Sequence, residues 1–145
     1  MDVQAEIVIE RPVAQVAAFA SDPTNAPLWY GKITEVSWET ALPFMVGTRI
    51  AFVANHLGRK MEYTYEVKEF VAGSRLVMET DEGPAWMRTT YTWEPAGEGT
   101  RMCLRNQGES SVFAKLAAPL MEAAMKSALS EDLAKLKSVL EAAPK

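Results

Sequence analysis

The chain contains one histidine and one cysteine among its 145 residues, and this scarcity excludes several kinds of site. Cys103 has no partner for an internal disulfide, which is typical of a protein from a reducing compartment. One histidine and one cysteine also leave no ligand cluster of the kind that zinc needs. We therefore predict neither a bound metal nor a cofactor.

Long apolar runs and basic runs are missing as well. No segment approaches the ~18 apolar residues that would span a bilayer, and the N-terminal MDVQAEIVIERP lacks the basic and apolar regions of a signal peptide. The 15 basic and 19 acidic residues give a net charge of −4, and no run of Lys or Arg is long enough to follow a phosphate backbone. We expect a soluble, cytoplasmic protein with no stable membrane insertion and no nucleic-acid partner.

The sequence does contain clear periodic patterns, beginning with a strand and two short helices. Alternation near the N-terminus places four apolar residues on one face of a strand: Val3, Ala5, Ile7 and Ile9. Behind Pro12, the segment PVAQVAAFA has apolar residues at helical spacing. The next segment, SDPTNAPLWYG, predicts a second short helix in which Leu28 and Trp29 plug the open end of a sheet. Tyr30 would lie at the mouth of a pocket or in solvent.

Six further strands follow, at residues 33–39, 48–56, 60–70, 75–80, 85–94 and 100–107. The links between them are short and rich in turn residues, which favours antiparallel neighbours, because a parallel crossover needs about a dozen residues. One face of this meander is apolar and the other polar. On the polar face we expect Trp38, Val53 and Trp86 to gather.

A long helix is predicted at residues 112–140, with apolar positions three or four residues apart: Met121, Met125, Leu129, Leu133, Leu136 and Leu140. Pro119 should bend or break this helix near Ala118. A sheet with one apolar face needs such a cover. Residues 1–145 therefore predict one α+β domain, with a curved antiparallel sheet of six to seven strands and a long C-terminal helix across it.

This order of elements describes the helix-grip fold, and the sequence resembles the START-like, or SRPBCC, superfamily in its polyketide cyclase and dehydrase branch. The similar segments are RPVAQVAAFASDPTNAPLW, GTRI, WEPAGEGTRM and LSEDLAKLKSVLE. The resemblance implies a hydrophobic cavity between the sheet and the long helix. Because the superfamily includes lipid carriers, cyclases and co-chaperone domains, the fold does not choose among these functions.

The residues predicted to contact a ligand are mostly those whose alternation points them inward. They are apolar, aromatic or hydrogen-bonding residues: Trp29, Tyr30, Phe52, His56, Tyr63, Tyr65, Met78, Met87, Tyr91, Trp93, Met102, Leu104, Asn106, Met121 and Met125. Methionine adapts to variable contents, although a methionine-rich solid core would give the same pattern. Structural plugging alone would also explain Trp29.

Candidates for catalysis are few. His56 has the inward phase but adjoins a turn, and Tyr65 offers an inward hydroxyl. No inward pair of carboxylates is evident, and the alternation turns Arg88 outward. Cys103 is out of phase with its apolar neighbours and has no evident catalytic partner.

Three functions remain open. The leading hypothesis is a binding or carrier protein for a hydrophobic or aromatic small molecule, lipid-like or polyketide-like, because an apolar face with sparse hydroxyls is the usual chemistry of a ligand pocket. The alternatives are a polyketide cyclase or dehydratase-like enzyme that uses His56 or Tyr65, and a co-chaperone-like interaction module. We expect a monomer or a homodimer.

Overall fold

The computed structural model describes residues 1–56, 58–80, 86–109 and 118–144, with the backbone alone at His56, Glu109 and Ala118. The helices are α1 Val13–Ser21, α2 Ala26–Trp29 and α3 Ala118–Ala142, with a 3-10 turn at Pro23–Asn25 before α2. The strands are β1 Asp2–Ile9, β2 Ile33–Trp38, β3 Arg49–His56, β4 Arg59–Val71, β5 Arg75–Thr80, β6 Trp86–Ala96 and β7 Gly99–Glu109. They form an antiparallel sheet in the order β1-β7-β6-β5-β4-β3-β2. This is the predicted helix-grip fold.

The inner face of the sheet forms the core together with the helices. Directly opposed residues of antiparallel strands share a face, and the inward residues are apolar along most strands. Several of them are fully enclosed: Ile9, Ile50, Val67, Leu76, Met102 and Leu104. α3 packs mainly along β1. Its leucines at positions 129, 133, 136 and 140 are at most 3% exposed.

A β-bulge in β2 reverses one prediction. The register of β2 against β3 shifts between Ile33 and Glu35, so that Trp38 lies opposite the inward Ile50. Trp38 therefore lies on the inner side of the sheet, edge-to-face with Phe44 at 6.3 Å between ring centroids. The expected gathering of Trp38 with the outward Trp86 and Val53 was wrong, because one inserted residue moves all later side chains to the other face.

The outer face of the sheet is polar and carries cross-strand ion pairs. Arg88 faces outward, as predicted, and its guanidinium contacts Glu79 at 2.6 Å. The same guanidinium lies 5.7 Å from the ring centre of Trp86. Arg105 pairs with Asp2 on the neighbouring edge strand, at 2.6 Å. These side chains are partly solvated, so the outer face has the chemistry of an ordinary protein surface.

The connection between α1 and β2 contains both turn residues and aromatic residues, and the structure gives them separate roles. Asp22 caps the 3-10 turn by accepting a hydrogen bond from the Thr24 N–H, at 2.9 Å. Trp29 is only 1% exposed and closes the core, whereas Leu28 is 53% exposed. The prediction that Leu28 shares the plugging role was wrong, because adjacent residues of a helix point about 100° apart.

The C-terminal end of α3 is fixed to the end of β1 by a clamp of hydrogen bonds, which we call the Arg11 clamp. The Arg11 guanidinium donates to the carbonyl oxygens of Glu141 and Ala143, at 2.5 and 3.1 Å. The Glu10 N–H donates to the Glu141 carboxylate, at 2.8 Å. The Lys137 ammonium donates to the Val8 carbonyl oxygen, at 2.8 Å. These bonds also satisfy carbonyls that a helix end leaves unpaired.

At its opposite end, the described part of α3 starts at Ala118 and includes Pro119. The bend predicted near Ala118 therefore falls at the edge of the described residues. The predicted helical residues 112–117 lie outside the described residues. Within the described ranges, no helix combines the length and the apolar character that crossing a bilayer requires.

Candidate functional site

A cavity of about 550 Å³ lies between the inner face of the sheet and α3. Its described apolar walls come from strands β2, β3 and β5 and from α3: Ile33, Phe52, Ala54, Met78, Met125, Ala128 and Leu129. Polar groups border it at separate points: Tyr30, Gly31, Lys32, Tyr63, Tyr65, Thr89, Tyr91, Asn106, Glu131 and Asp132. The size and the mainly apolar lining suit a small organic molecule.

Two tyrosines from different parts of the chain meet at the cavity wall. The hydroxyl oxygens of Tyr30, which follows α2, and Tyr91, on β6, lie 2.5 Å apart. Trp29 packs against the Tyr30 ring, with centroids 4.1 Å apart, and Trp93 meets the Tyr91 ring edge-to-face at 5.9 Å. Aromatic neighbours therefore fix both rings, and the hydroxyl pair is held in place before any ligand arrives.

Burial keeps the inner tyrosines protonated. Desolvation raises the pKa of Tyr30 and of Tyr91 well above the ordinary value of 10.0. Desolvation also raises the pKa of Tyr65 to about 12, although a hydrogen bond with the Thr89 side chain opposes the shift. At neutral pH these hydroxyls are hydrogen-bond donors, and none is poised to act as a general base.

A second polar group connects β4, β6, β7 and α3. The Thr89 hydroxyl donates to the Asn106 amide oxygen at 2.8 Å, and Tyr65 shares a hydrogen bond with the Thr89 side chain. The Asn106 amide nitrogen donates to the Met125 sulfur on α3, at 3.5 Å. The Tyr63 hydroxyl donates to the Met61 sulfur, at 3.3 Å. These residues place hydroxyl and amide groups on an otherwise apolar wall.

Asp132, which the sequence pattern did not single out, borders the cavity from α3. Its carboxylate accepts a hydrogen bond from the Gly31 N–H, at 3.0 Å. Burial raises the pKa of Asp132, and the Glu131 charge adds to this, while the Gly31 hydrogen bond and the Lys32 charge oppose it. Glu131 also borders the cavity, but its side chain is exposed, so the absence of an inward carboxylate pair stays a prediction.

Apart from His56, the predicted ligand contacts fall into two groups, those that border the cavity and those that do not. Those that border the cavity are Tyr30, Phe52, Tyr63, Tyr65, Met78, Tyr91, Asn106 and Met125. The side chain of His56, one of the two candidate catalysts, lies outside the described residues. The remaining predicted contacts do not appear among the described lining residues: Trp29, Met87, Trp93, Met102, Leu104 and Met121.

Each of these remaining residues has another environment. Trp29, Trp93, Met102 and Leu104 are buried in the core. The Met87 sulfur lies 2.6 Å from where a Cβ on Gly108 would stand, so Met87 fills the space that this glycine leaves. Met121 is half-buried on the N-terminal part of α3. Alternation therefore identified the inner face, and packing decided which part of that face is empty.

The described residues offer no metal centre, since no three His, Cys, Asp or Glu side chains among them converge on one point. Cys103 is half-buried on β7, and its sulfur lies 3.8 Å from the Gln4 side-chain oxygen. Burial and the nearby Glu6 charge raise the pKa of the Cys103 thiol. A raised pKa keeps the sulfur in its unreactive thiol form.

Comparisons with known proteins agree with this architecture. A family model described as "Polyketide cyclase / dehydrase and lipid transport" matches residues 1–141. No curated protein matches the sequence. The crystal structure of TTHA0849 from Thermus thermophilus is 24% identical with a TM-score of 0.83, and each chain is fully covered.

Two further solved structures have the same fold. A START superfamily protein from Mycobacterium smegmatis is 12% identical with a TM-score of 0.82, and 97% of each chain is covered. BexL, a di-domain ARO/CYC protein of the BE-7585A biosynthetic pathway, is 17% identical with a TM-score of 0.80. That match covers 97% of this chain and 46% of BexL. At these identities the likeness shows the fold alone.

Proposed function

The chain belongs to the polyketide cyclase/dehydrase and lipid transport family, and from this premise we propose that it binds a hydrophobic small molecule in the cavity beneath α3. Family and fold fit hydrophobic ligand binding or a cyclase-like role. The observation that carries the proposal is the cavity itself, about 550 Å³ with mainly apolar walls and a few fixed hydroxyls. That combination is usual in sites for small organic ligands.

In this proposal, different parts of the wall contact different parts of the ligand. Phe52, Met78 and Met125 would contact its apolar body, and methionine side chains adjust to its outline. The hydroxyl pair of Tyr30 and Tyr91 would hold one of its oxygen atoms. Because the two rings are fixed before binding, little side-chain freedom would be lost when the ligand enters.

Filling the cavity tests this proposal. The neutral fluorescent probe N-phenyl-1-naphthylamine is titrated into the wild type and into Ala128→Trp, whose new indole would occupy the cavity. Ala134→Trp is the matched control, because Ala134 lies on the same helix and is exposed. We expect at least about tenfold weaker binding in Ala128→Trp and unchanged binding in the control.

Equal binding by Ala128→Trp and the wild type would contradict the proposal, provided that thermal unfolding shows both proteins folded. Met78→Trp fills the cavity from the sheet side, and it replaces Ala128→Trp if that variant does not fold. Native mass spectrometry of the purified wild type would then identify any ligand that remains bound during purification.

A cyclase or dehydratase-like enzyme is the second candidate, and Asp132 is the observation that favours it. A carbonyl held by the tyrosine pair and a carboxylate bordering the same cavity are components of enolate chemistry. The raised pKa of Asp132 makes its carboxylate a stronger base than an ordinary aspartate. Tyr65, with a pKa of about 12, would serve as a donor. BexL, an ARO/CYC protein, has the same fold.

Turnover separates the enzyme from the carrier. Wild type is incubated with a linear aromatic-polyketide-like polyketone, and cyclised or dehydrated products are measured by mass spectrometry. For an enzyme that uses Asp132, Asp132→Asn should lower turnover about 100-fold or more while the naphthylamine probe still binds. Tyr65→Phe and His56→Ala test the two residues that the sequence suggested. Absence of wild-type turnover would leave the carrier function.

A further inference from the structure

Two hydrogen-bond donors on the described cavity wall donate to poor acceptors. The Tyr63 hydroxyl donates to the Met61 sulfur at 3.3 Å, and the Asn106 amide nitrogen donates to the Met125 sulfur at 3.5 Å. A thioether sulfur accepts hydrogen bonds only weakly. Both donors would therefore gain by exchanging sulfur for an oxygen atom.

The contacts with Thr89 and Met125 together set which side of the Asn106 amide faces the sulfur. The Thr89 hydroxyl donates to the amide oxygen at 2.8 Å, which leaves both amide N–H groups for other acceptors. The reverse orientation would place the amide oxygen against the lone pairs of the Met125 sulfur, an unfavourable contact. One N–H points to sulfur, and the second adds a further donor.

The tyrosine pair contributes another donor. Two hydroxyl groups have two hydrogens, and the bond between Tyr30 and Tyr91 uses one of them. Burial raises the pKa of both side chains, so both hydrogens are present at neutral pH. The second hydrogen is available to an oxygen of the ligand. The sheet side of the cavity is thus supplied mainly with donors.

Negative charge is disfavoured at the α3 side of the cavity. Among the described lining residues, Glu131 and Asp132 are acidic and Lys32 is basic. Desolvation, the largest influence on Asp132, raises its pKa, which means that this environment penalises a carboxylate. A second carboxylate brought in by a ligand would meet the same penalty, and repulsion from two acidic side chains would outweigh attraction by the one lysine.

We propose that the cavity selects an uncharged ligand with keto, ester or ether oxygens, that Tyr63 and Asn106 read those oxygens, and that free fatty acids and other carboxylates are rejected. This inference rests on the proposed binding function and specifies the class of ligand. On binding, the ligand oxygens replace the sulfur atoms of Met61 and Met125 as acceptors. The residues that donate hydrogen bonds to the ligand are therefore distinct from the apolar residues that enclose it.

Three probes of nearly equal shape test the selection: fluorene, 9-fluorenone and 9-fluorenecarboxylate. They differ in having no polar group, one acceptor oxygen, or a negative charge. Calorimetry at pH 7.5 should show 9-fluorenone binding about tenfold more tightly than fluorene, the size of one well-placed hydrogen bond. The carboxylate should bind more weakly than fluorene.

Variants identify the residues that cause the preference. Tyr63→Phe with Asn106→Leu should reduce the preference for 9-fluorenone over fluorene to about twofold, while Asn55→Leu, at an exposed position of β3, should leave it unchanged. Tyr63→Phe alone serves if the double variant does not fold. Glu131→Gln with Asp132→Asn should strengthen binding of 9-fluorenecarboxylate about tenfold or more.

The outcomes distinguish this inference from the proposed function. If fluorene and 9-fluorenone bind equally well, the ligand-class inference is overturned while the binding function stands. Carboxylate binding that equals fluorene binding overturns the rejection of acids. If none of the three probes binds, and the naphthylamine probe does not bind either, both proposals fail together.

Discussion

The two halves of α3 lie over the same sheet but cover different contents. In the C-terminal half, Leu133, Leu136 and Leu140 are at most 2% exposed and fill the space against the sheet. In the N-terminal half, Met125 and Ala128 are half-buried and border the cavity. One helix thus stabilises the fold with branched side chains and borders the cavity with flexible and small ones. The Arg11 clamp holds only the filled half.

The largest difference between the halves should appear in stability. Leu136→Ala should lower the free energy of unfolding by about 3 kcal/mol, because a fully enclosed leucine leaves a hole in a filled region. Met125→Ala should cost about 1 kcal/mol or less, since it enlarges an existing cavity. Urea unfolding of both variants measures this. Equal losses would show that the two halves are packed alike.

Removing a single hydroxyl group tests the part of the sheet that borders the cavity. Tyr91→Phe should lower the free energy of unfolding by about 2 kcal/mol, because the buried Tyr30 hydroxyl loses its partner. Removing both hydroxyls, with Tyr30→Phe added, should cost less than the sum of the two single changes. A double-mutant cycle measures this coupling. Strict additivity would show that the pair does not act as one unit.

Replacing Asp132 should raise the free energy of unfolding, whereas the substitutions described above lower it. Its native pKa is raised above the ordinary value of 3.8, so the native state holds the proton more tightly than the unfolded state. The contribution of Asp132 to wild-type stability therefore falls as pH rises from below 3.8 through the native pKa, and it then levels off. Asp132→Asn keeps an acceptor for the Gly31 N–H and removes this dependence.

Urea unfolding across pH measures the Asp132 effect. The stability of Asp132→Asn relative to the wild type should increase as pH rises, and it should reach its full value by neutral pH. A variant that loses stability relative to the wild type as pH rises would reverse the assigned sign.

The smallest effect on the free energy of unfolding is expected for the outer face of the sheet, which neither half of α3 covers. Arg101 pairs with Glu94 at 3.2 Å, and both side chains are largely exposed. Arg101→Ala should change the free energy of unfolding by less than about 0.5 kcal/mol, because water and salt screen such pairs. Urea unfolding at low and high salt provides this baseline. A loss as large as that of Leu136→Ala would contradict the division between inner and outer faces.

The fold was predictable because each strand has its own alternation and each link its own turn chemistry. Predictions failed where a single residue decides which face of a strand or helix the following side chains occupy. The bulge in β2 moves Trp38 to the inner side, and nothing in the residues around Thr34 indicates an insertion. Leu28 and Trp29 are adjacent apolar residues, so composition alone does not tell which of them is buried.

The cavity was only partly predictable, for a different reason. Alternation places Leu104 and Asn106 on the same face, yet the first is enclosed in the core and the second borders empty space. That distinction depends on how α3 sits across the sheet. One signal was available for Asp132: it lies three residues after Leu129 and four before Leu136, at the margin of the apolar stripe.

The Arg11 clamp also bears on the order in which the molecule assembles. It joins Arg11 to Glu141 across 130 positions of the sequence, so it closes only after most of the chain is available. During synthesis the described strands emerge before α3, and their apolar inner face has no cover from that helix until α3 itself leaves the ribosome. Contacts between such distant residues slow folding. The surface that later borders the cavity is thus the surface on which the nascent chain is most exposed to aggregation.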